Sequence, residues 1–209
     1  MRLKIDLHVH TTISSDSFVE TEQLPLILKN RGLDGVAVTN HNALAEVTSS
    51  EIIILPGIEV STLQGHIIGL GVSDPIAEGK TADETITLIH EVGGVAVIPH
   101  PFDPVSACVN PLKLASRADA IETINSDALF FRLNTKLATR MANQMGLPMV
   151  AGSDSHIPET VGDAYTIIES SSKSVDDILS AIRAGAVQPM GGSTSLSKKL
   201  LKVKRKLWL

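Results

Sequence analysis

The chain has 209 residues and a formal net charge of −5, with 43% apolar, 20% charged and only 3% aromatic residues. So few aromatic residues argue against a base-stacking surface for single-stranded nucleic acid. The single cysteine, Cys108, excludes both an internal disulfide and a zinc site made of several thiolates. The first ten residues hold too short an apolar run for a signal peptide, and no stretch has membrane-spanning length. We therefore expect a cytoplasmic enzyme or binding protein.

Apolar, β-branched runs alternate with helical patterns along the chain. The runs predict strands at 3–9, 35–40, 52–60, 65–72, 94–100, 118–124, 148–154, 165–169 and 185–191. The helical patterns cover 19–31, 81–93, 128–145 and 174–184, where the second begins with a TADE capping box and the last is capped by Ser174. The third carries an apolar stripe of Leu129, Leu133, Leu137 and Met141. This alternation predicts an α/β fold, either a doubly wound sheet or a βα barrel.

The last twenty residues carry six Lys or Arg and no acid, which leaves the first 189 residues at −11. We predict one domain over residues 1–190 and a basic tail over 191–209. The tail sequence SKKLLKVKRKLWL interleaves cations with Leu, Val and Trp208. Such a segment suits an acidic membrane surface, a nucleic acid, the protein's own acidic body, or a solvated terminus.

Six of the seven histidines lie at or beside an end of a predicted strand, and acids lie in the same places. His90 is the exception, in the middle of a predicted helix, and we leave it out. Strand ends on one face of a βα barrel converge on a single mouth, so residues far apart in sequence can share a site there. The strand-end residues are His8, His10, His41, His66, His100 and His156, with Asp6, Glu59 and Asp154.

The pattern indicates a metal site with imidazole and carboxylate ligands. His8 and His10 point the same way from one strand, since residues i and i+2 share a face, and Asp154 and His156 repeat that spacing. Imidazole and carboxylate without thiolate suit Zn, Mn or Fe. One ion needs three or four ligands, so this many ligands predicts more than one ion.

Five motifs in order resemble those of the PHP (polymerase and histidinol phosphatase) superfamily: DLHVHT, TNHN, GIEVS with GHIIGLG, GGVAVIPHP and AGSDSH. The chain is most similar to the stand-alone PHP metal-dependent phosphoesterases. The resemblance implies a distorted (β/α)7 barrel, a TIM-like fold, for residues 1–190, with a trinuclear site that takes two to three Mn, Zn or Fe ions. Glu59 would be shared by two ions. The three ligand sets implied are His8, His10, Glu59 and Asp154; Glu59, His66 and His100; and Asp16, His41 and His156.

The second motif departs from the family pattern. It commonly reads Thr-Asp-His, whereas this chain has Asn40 at the acid's position. If the acid only orients a neighbour, Asn40 can still form that hydrogen bond, but the lost charge would weaken the third metal site. Asp6 is expected to be a buried supporting carboxylate rather than a ligand.

The reaction predicted is hydrolysis of a phosphate ester by a metal-activated water, on a small phosphorylated metabolite or nucleotide. We expect His156 to protonate the leaving group and Arg132, beside Lys136 and Arg140, to bind the phosphate. Two alternatives stay open: a nuclease that trims nucleic-acid ends with help from the basic tail, and a non-catalytic PHP-like metal-binding protein, which Asn40 favours. The sequence does not decide between monoester and diester, nor the oligomeric state.

Overall fold

The computed structural model describes residues 1–114 and 118–207. One nine-stranded sheet contains β1 (Arg2–Val9), β2 (Gly35–His41), β3 (Ile53–Thr62), β4 (Gly65–Leu70), β5 (Val95–Ile98), β6 (Ala120–Asn125), β7 (Met149–Gly152), β8 (Ala164–Glu169) and β9 (Val187–Gly191). The helices are α1 (Leu24–Arg31), α2 (Ala82–Glu91), α3 (Pro111–Leu114), α4 (Phe131–Met145), α5 (Val175–Arg183) and α6 (Leu196–Lys206). Single 3-10 turns lie at Thr21–Gln23 and Pro158–Thr160.

The strands follow the order β7-β6-β5-β4-β3-β2-β1-β8-β9. The sheet curls so that the segment after β7 returns to β1, where Val9 pairs with Ser155 and the Asp154 N–H donates to His8 O at 2.8 Å. The predicted α/β barrel is therefore confirmed as a nearly closed barrel, here with nine strands.

The sheet is mixed rather than built only from parallel βα units. β1, β2 and β3 are parallel, as are β5, β6 and β7, but β4 is antiparallel to both its neighbours. Because β4 runs the other way, its first residues lie at the edge where β1 to β3 and β5 to β7 end. This explains why His66 opens a strand whereas His41 closes one.

Three apolar clusters hold α1, α2, α4 and α5 against the sheet. The first joins strand residues such as Ile5, Leu55 and Leu70 to Ile178 and Ile182 of α5. The second packs α2 and α4 on the β3 to β6 side, and the third packs α1 on β1 and β2. Both predicted helix caps are present: Thr81 forms the full capping box with Glu84, and Ser174 accepts a hydrogen bond from the Asp177 N–H.

Three of the four residues in the stripe predicted as the apolar side of helix α4 face outward, whereas Met141 is partly buried and packs against the second cluster. Leu129, Leu133 and Leu137 are exposed, whereas Ala138 and Ala142 are buried against the sheet. The physical reason is that alanines let a helix approach a sheet more closely than leucines do, which outweighs the hydrophobicity of the stripe.

The basic tail forms a helix that lies on the barrel. Helix α6 begins after its cap Ser195, and ion pairs connect Lys198 to Asp163 at 2.7 Å and Arg205 to Glu159 at 2.7 Å. Of the partners considered for the tail, the one that these contacts involve is the protein's own acidic body. Trp208 lies outside the described residues.

Candidate metal centre

Glu59 is the centre of a cluster of five imidazole rings. Its carboxylate is 1% exposed, and both of its oxygens face ring nitrogens. Oε1 lies 2.9 Å from His100 Nε2 and 3.1 Å from His66 Nδ1, and Oε2 lies 3.1 Å from His41 Nδ1. His8 Nε2 lies on the Oε1 side at 3.6 Å and His10 Nε2 on the Oε2 side at 3.3 Å. Each oxygen therefore faces its own group of ring nitrogens, as a carboxylate shared between two ions would.

The spacing of the donor atoms around His8 and His10 fits a bound ion. Their two Nε2 atoms are 3.2 Å apart, and Asp154 Oδ1 lies 3.5 Å from one and 3.4 Å from the other. His10 Nε2 is also 3.3 Å from Glu59 Oε2. Ligands at about 2.1 Å from a tetrahedral ion stand about 3.4 Å from each other. The donor set, imidazole and carboxylate oxygen converging at that spacing, fits a divalent ion.

The remaining candidate ligands extend the cluster on either side. Four sets of three residues place one donor atom each within 4.8 Å of one another, and they include every predicted histidine ligand. Asp16 joins through His156, since its Oδ2 lies 3.1 Å from His156 Nε2. The structure thus brings together all nine residues predicted as ligands: His8, His10, Asp16, His41, Glu59, His66, His100, Asp154 and His156.

Two of these residues adopt a backbone conformation that non-glycine residues rarely adopt. His100 has φ 31° and Asp154 has φ 53°. Left-handed backbone at such residues is costly, and it concentrates at functional sites where the surroundings impose it. Here it turns the chain sharply after β5 and β7, which directs both side chains to the cluster.

Carboxylates and burial set the protonation of the rings. Burial alone would lower the pKa of His8, but the carboxylates of Asp154, Glu122 and Glu59 hold that pKa well above its usual value. Burial likewise disfavours charge at His100, yet its hydrogen bonds with Cys108 and Glu59 raise the pKa to about 10. At these positions the carboxylates favour positive charge, which is the electrostatic environment that a bound cation needs.

The outer rings behave differently. Burial lowers the pKa of His41 to about 4, despite the carboxylate of Glu59. Burial and the neighbouring His10 also lower the pKa of His156. The neutral imidazole favoured here is the form that binds metal ions. It is not the form that donates a proton, so the predicted role of His156 as a proton donor stays a prediction.

Sequence reasoning missed a carboxylate behind the cluster. Glu122 is buried in β6, with Oε1 3.0 Å from His8 Nδ1, and its Oε2 accepts hydrogen bonds from the His100 N–H at 2.8 Å and Asn125 Nδ2 at 2.9 Å. A carboxylate that holds the second nitrogen of a ligating histidine fixes its tautomer and orientation. The available signal was an acid within an apolar strand, AIETIN.

Asn40 supports the first loop rather than facing the cluster. Its Oδ1 accepts hydrogen bonds from the Thr11 N–H at 2.7 Å, Thr11 Oγ1 at 3.1 Å and Ser14 Oγ at 3.2 Å. These bonds fix the start of the loop that carries Asp16. This is the orienting role that an Asn can fulfil in place of the acid expected at this position. Asp6 is fully buried and accepts hydrogen bonds from three backbone N–H groups, the supporting role expected of it.

A cavity of about 260 Å³ opens over the cluster, and its cations come from the basic tail. Lys202 and Lys206 of α6 line it, together with Asp127 from the loop after β6. Arg132 is exposed on α4 and is not among the lining residues, so its role in phosphate binding stays a prediction. The signal for the lysines was their spacing of four in the tail, which places both on one helix face.

Comparison with known proteins assigns the fold to a family. A family model described as PHP-associated matches residues 133–187. Uncharacterized protein MJ1587 from Methanocaldococcus jannaschii is 31% identical over 141 residues, which are 59% of this chain and 82% of that protein. A solved two-domain protein from Bacteroides vulgatus, containing a predicted PHP-like metal-dependent phosphoesterase, is similar with TM-score 0.74 and 19% identity. The chain belongs to the PHP superfamily.

Proteins of different size share this fold. The similarity covers 92% of this chain and 65% of the Bacteroides vulgatus protein. The lesion-specific endonuclease PfuEndoQ from Pyrococcus furiosus is similar with TM-score 0.60 and 17% identity, over 91% of this chain and 58% of the endonuclease. At these identities the similarity is one of fold. Among the helices the structure describes, none is both long and apolar enough to span a membrane.

Proposed function

We propose that this PHP protein hydrolyses phosphate esters of small metabolites or nucleotides with two to three divalent ions, Mn, Zn or Fe. The observation that carries the proposal is the position of Glu59, whose two oxygens face separate groups of imidazole nitrogens. A carboxylate whose two oxygens face separate groups of donors can be shared by two ions, and paired ions act together on a phosphoryl group. Asp154 would complete the first ligand set and Asp16 the third.

Each group of residues has a separate task in this proposal. When bound, divalent ions supply activation of a water molecule at neutral pH and neutralise charge on the phosphoryl oxygens. His8 and His10 would hold an ion through Nε2, since Glu122 and Ser14 of the first loop contact the Nδ1 atoms of these rings. His66 and His100 hold the other side of Glu59. The Cys108 thiol donates to the backbone oxygens of His100 and Asp103. It has no role as a nucleophile in this proposal, since the attacking group is a water molecule.

The size of the cavity supports a small substrate. Its volume of about 260 Å³ lies near the lower end of ligand-binding pockets, which hold drug-sized molecules at roughly 300–1,000 Å³. Five carboxylates, from Asp16, Glu59, Asp103, Asp127 and Asp154, line it against two lysines. A phosphate would be repelled from this cavity unless cations first reverse that balance.

The test is hydrolysis of an aryl phosphate monoester and a diester by metal-stripped protein refilled with Mn, Zn or Fe, beside a metal count. We expect Glu59→Gln to lose at least about 100-fold in turnover and to bind fewer ions. His90→Gln is the matched control, since His90 lies on α2 outside the cluster and pairs with Asp119. Bound metal without turnover of any ester would instead support the non-catalytic protein, with Asn40→Asp as the next variant.

The second candidate function is cleavage of nucleic acid. It is favoured by the fold shared with the endonuclease from Pyrococcus furiosus. Against it, four of the tail cations, Lys198, Lys202, Arg205 and Lys206, pair with carboxylates of the barrel. Labelled duplex and single-stranded oligonucleotides, with and without an abasic site, separate the two: cleavage comparable to that of the aryl esters would favour the nuclease.

A further inference from the structure

Helix α6 supplies both lysines that line the cavity. Lys202 Nζ lies 2.6 Å from Asp127 Oδ2 and 3.3 Å from His156 Nδ1, and Lys206 Nζ lies 2.9 Å from Asp16 Oδ2. The Lys202 side chain is only 17% exposed. Two ammonium groups are therefore held next to the candidate ligands, on one wall of the cavity.

The helix holds this wall in a fixed position. Arg205 makes two hydrogen bonds to the Glu159 carboxylate, at 3.1 and 2.7 Å, and Lys199 Nζ donates to the backbone oxygens of Asp127 and Ala128. Asp127 is thus bound by α6 through its main chain and its side chain at once. Lysines placed by such contacts are preorganised, because little side-chain freedom remains to be lost when an anion binds.

We propose that Lys202 and Lys206 bind the phosphoryl oxygens of the substrate and select dianionic phosphate monoesters over diesters. The inference rests on the proposed function and names its substrate class. A monoester presents three terminal oxygens and two negative charges to the wall, whereas a diester presents fewer oxygens and one charge. The second substituent of a diester would also have to pass the wall that α6 places beside the ions' ligands.

The competing explanation is that the lysines only attach α6 to the barrel. Lys198 and Arg205 already have that role, since their partners Asp163 and Glu159 do not line the cavity. Lys202 differs because its ammonium reaches His156 and lies over the cavity. An attachment lysine would affect folding, whereas an anion-binding lysine changes the affinity for phosphate.

The experiment measures the affinity of the metal-loaded protein for inorganic phosphate by calorimetry, at matched metal content. We expect Lys202→Gln to weaken phosphate binding by about 10-fold or more, in line with a lost charge-assisted hydrogen bond, and Lys202→Arg to retain most of it. Lys204→Gln is the control, because Lys204 is exposed on the same helix and has no ion pair among the described residues. Lys206→Gln should weaken binding as well.

Kinetics give a second readout. The ratio of kcat/KM for an aryl monoester to that for the diester should fall about 10-fold in Lys202→Gln, mainly through KM for the monoester. Phosphate affinity and ester preference equal to wild type in both lysine variants would overturn the proposal, as would a loss seen in Arg132→Gln instead. A wild type that binds no phosphate overturns it too.

The two proposals fail in different ways. Phosphate binding that depends on Lys202, in a protein that hydrolyses no ester, would remove the proposed function and leave the anion site. Ester hydrolysis that is indifferent to Lys202 and Lys206 would leave the proposed function and remove the anion site. A Lys202→Gln protein that loses metal but binds phosphate normally per bound ion would make Lys202 an attachment residue.

Discussion

Glu122 Oε1 lies 3.0 Å from His8 Nδ1, the ring nitrogen opposite the one that faces Glu59 and Asp154. Its other oxygen accepts hydrogen bonds from the His100 N–H and from Asn125. Every polar partner of this carboxylate is thus arranged for an acceptor. With an ion bound, His8 would keep the proton on Nδ1, facing Glu122, and present the lone pair of Nε2 to the cluster.

Glu122→Gln should weaken metal binding. An amide must turn its NH2 group either to His8 Nδ1, which forces the wrong tautomer, or to the two donors on the other side. We expect a loss of about 10- to 100-fold in metal affinity, measured by competition with a chromophoric chelator. Glu91→Gln, an exposed acid on α2, is the control, and equal affinities in the two variants would contradict the role given to Glu122.

Gly152→Ala should disturb His8 through packing alone. A Cβ at residue 152 would lie 2.3 Å from His8 Cβ and 2.9 Å from Glu122 Oε1, and the φ of Gly152 is not in the left-handed region. We expect about 1–3 kcal/mol of destabilisation and weaker metal binding, measured by urea unfolding and metal count. At Gly192 an added Cβ meets nothing within 4 Å, so Gly192→Ala should match wild type in both.

Asp6→Asn should destabilise the barrel in a pH-dependent manner. Asp6 Oδ2 accepts from the Gly162 N–H at 2.8 Å and Oδ1 from the Ser153 N–H at 2.8 Å, so an amide would oppose one donor with another. That mismatch costs about 1–3 kcal/mol.

The pH dependence follows from burial, which raises the pKa of Asp6 from 3.8 to about 6. The folded protein therefore takes up a proton at higher pH than the unfolded chain, and the contribution of Asp6 is lost as the pH rises through 6. When the pH is lowered from 7 to 4, the free energy of unfolding of wild type should rise by about 2–3 kcal/mol relative to that of Asp6→Asn. The measurement is urea unfolding of metal-stripped protein. A difference that is constant with pH would refute the assignment.

Attachment of α6 should be sensitive to salt. The helix has no fully buried side chain, and ion pairs such as Lys198 to Asp163 and Arg205 to Glu159 hold it. Because the screening length falls from about 10 Å at 0.1 M to about 3 Å at 1 M ionic strength, amide exchange in α6 should accelerate severalfold with added NaCl. Helix α5 buries Ile178 and Ile182 and should exchange at a constant rate.

Much of the fold and the cluster could be predicted because both depend on local patterns. Strands buried on both faces read as apolar runs, and polar residues at their ends stand out, which is how His8, His10 and Glu59 were found. The cavity wall could not be predicted in this way. Whether Lys202 faces solvent, a membrane or the barrel depends on partners such as Asp127, far away in sequence.

The prediction that the leucine stripe of α4 is buried was wrong for a related reason. Periodicity identifies a face of a helix, but Leu133 and Ala138 belong to different faces, and only the distance between helix and sheet decides which one is buried. Glu122 was missed because a single carboxylate within an apolar strand does not indicate a role by itself. Its role becomes visible only when its partner, His8, is known.

The closure of the barrel and the candidate ligands share the same residues. The Asp154 N–H donates to His8 O, and the His10 N–H donates to Ser155 O, so the bonds that join β1 to the segment after β7 connect the residues of the first ligand set. Separation of this seam would pull these ligands apart, so each opening of the seam would weaken the hold on a bound ion. The rate at which a bound metal ion exchanges with labelled ions in solution would then report how often the seam opens. A tightly closed barrel is expected to exchange its ions slowly.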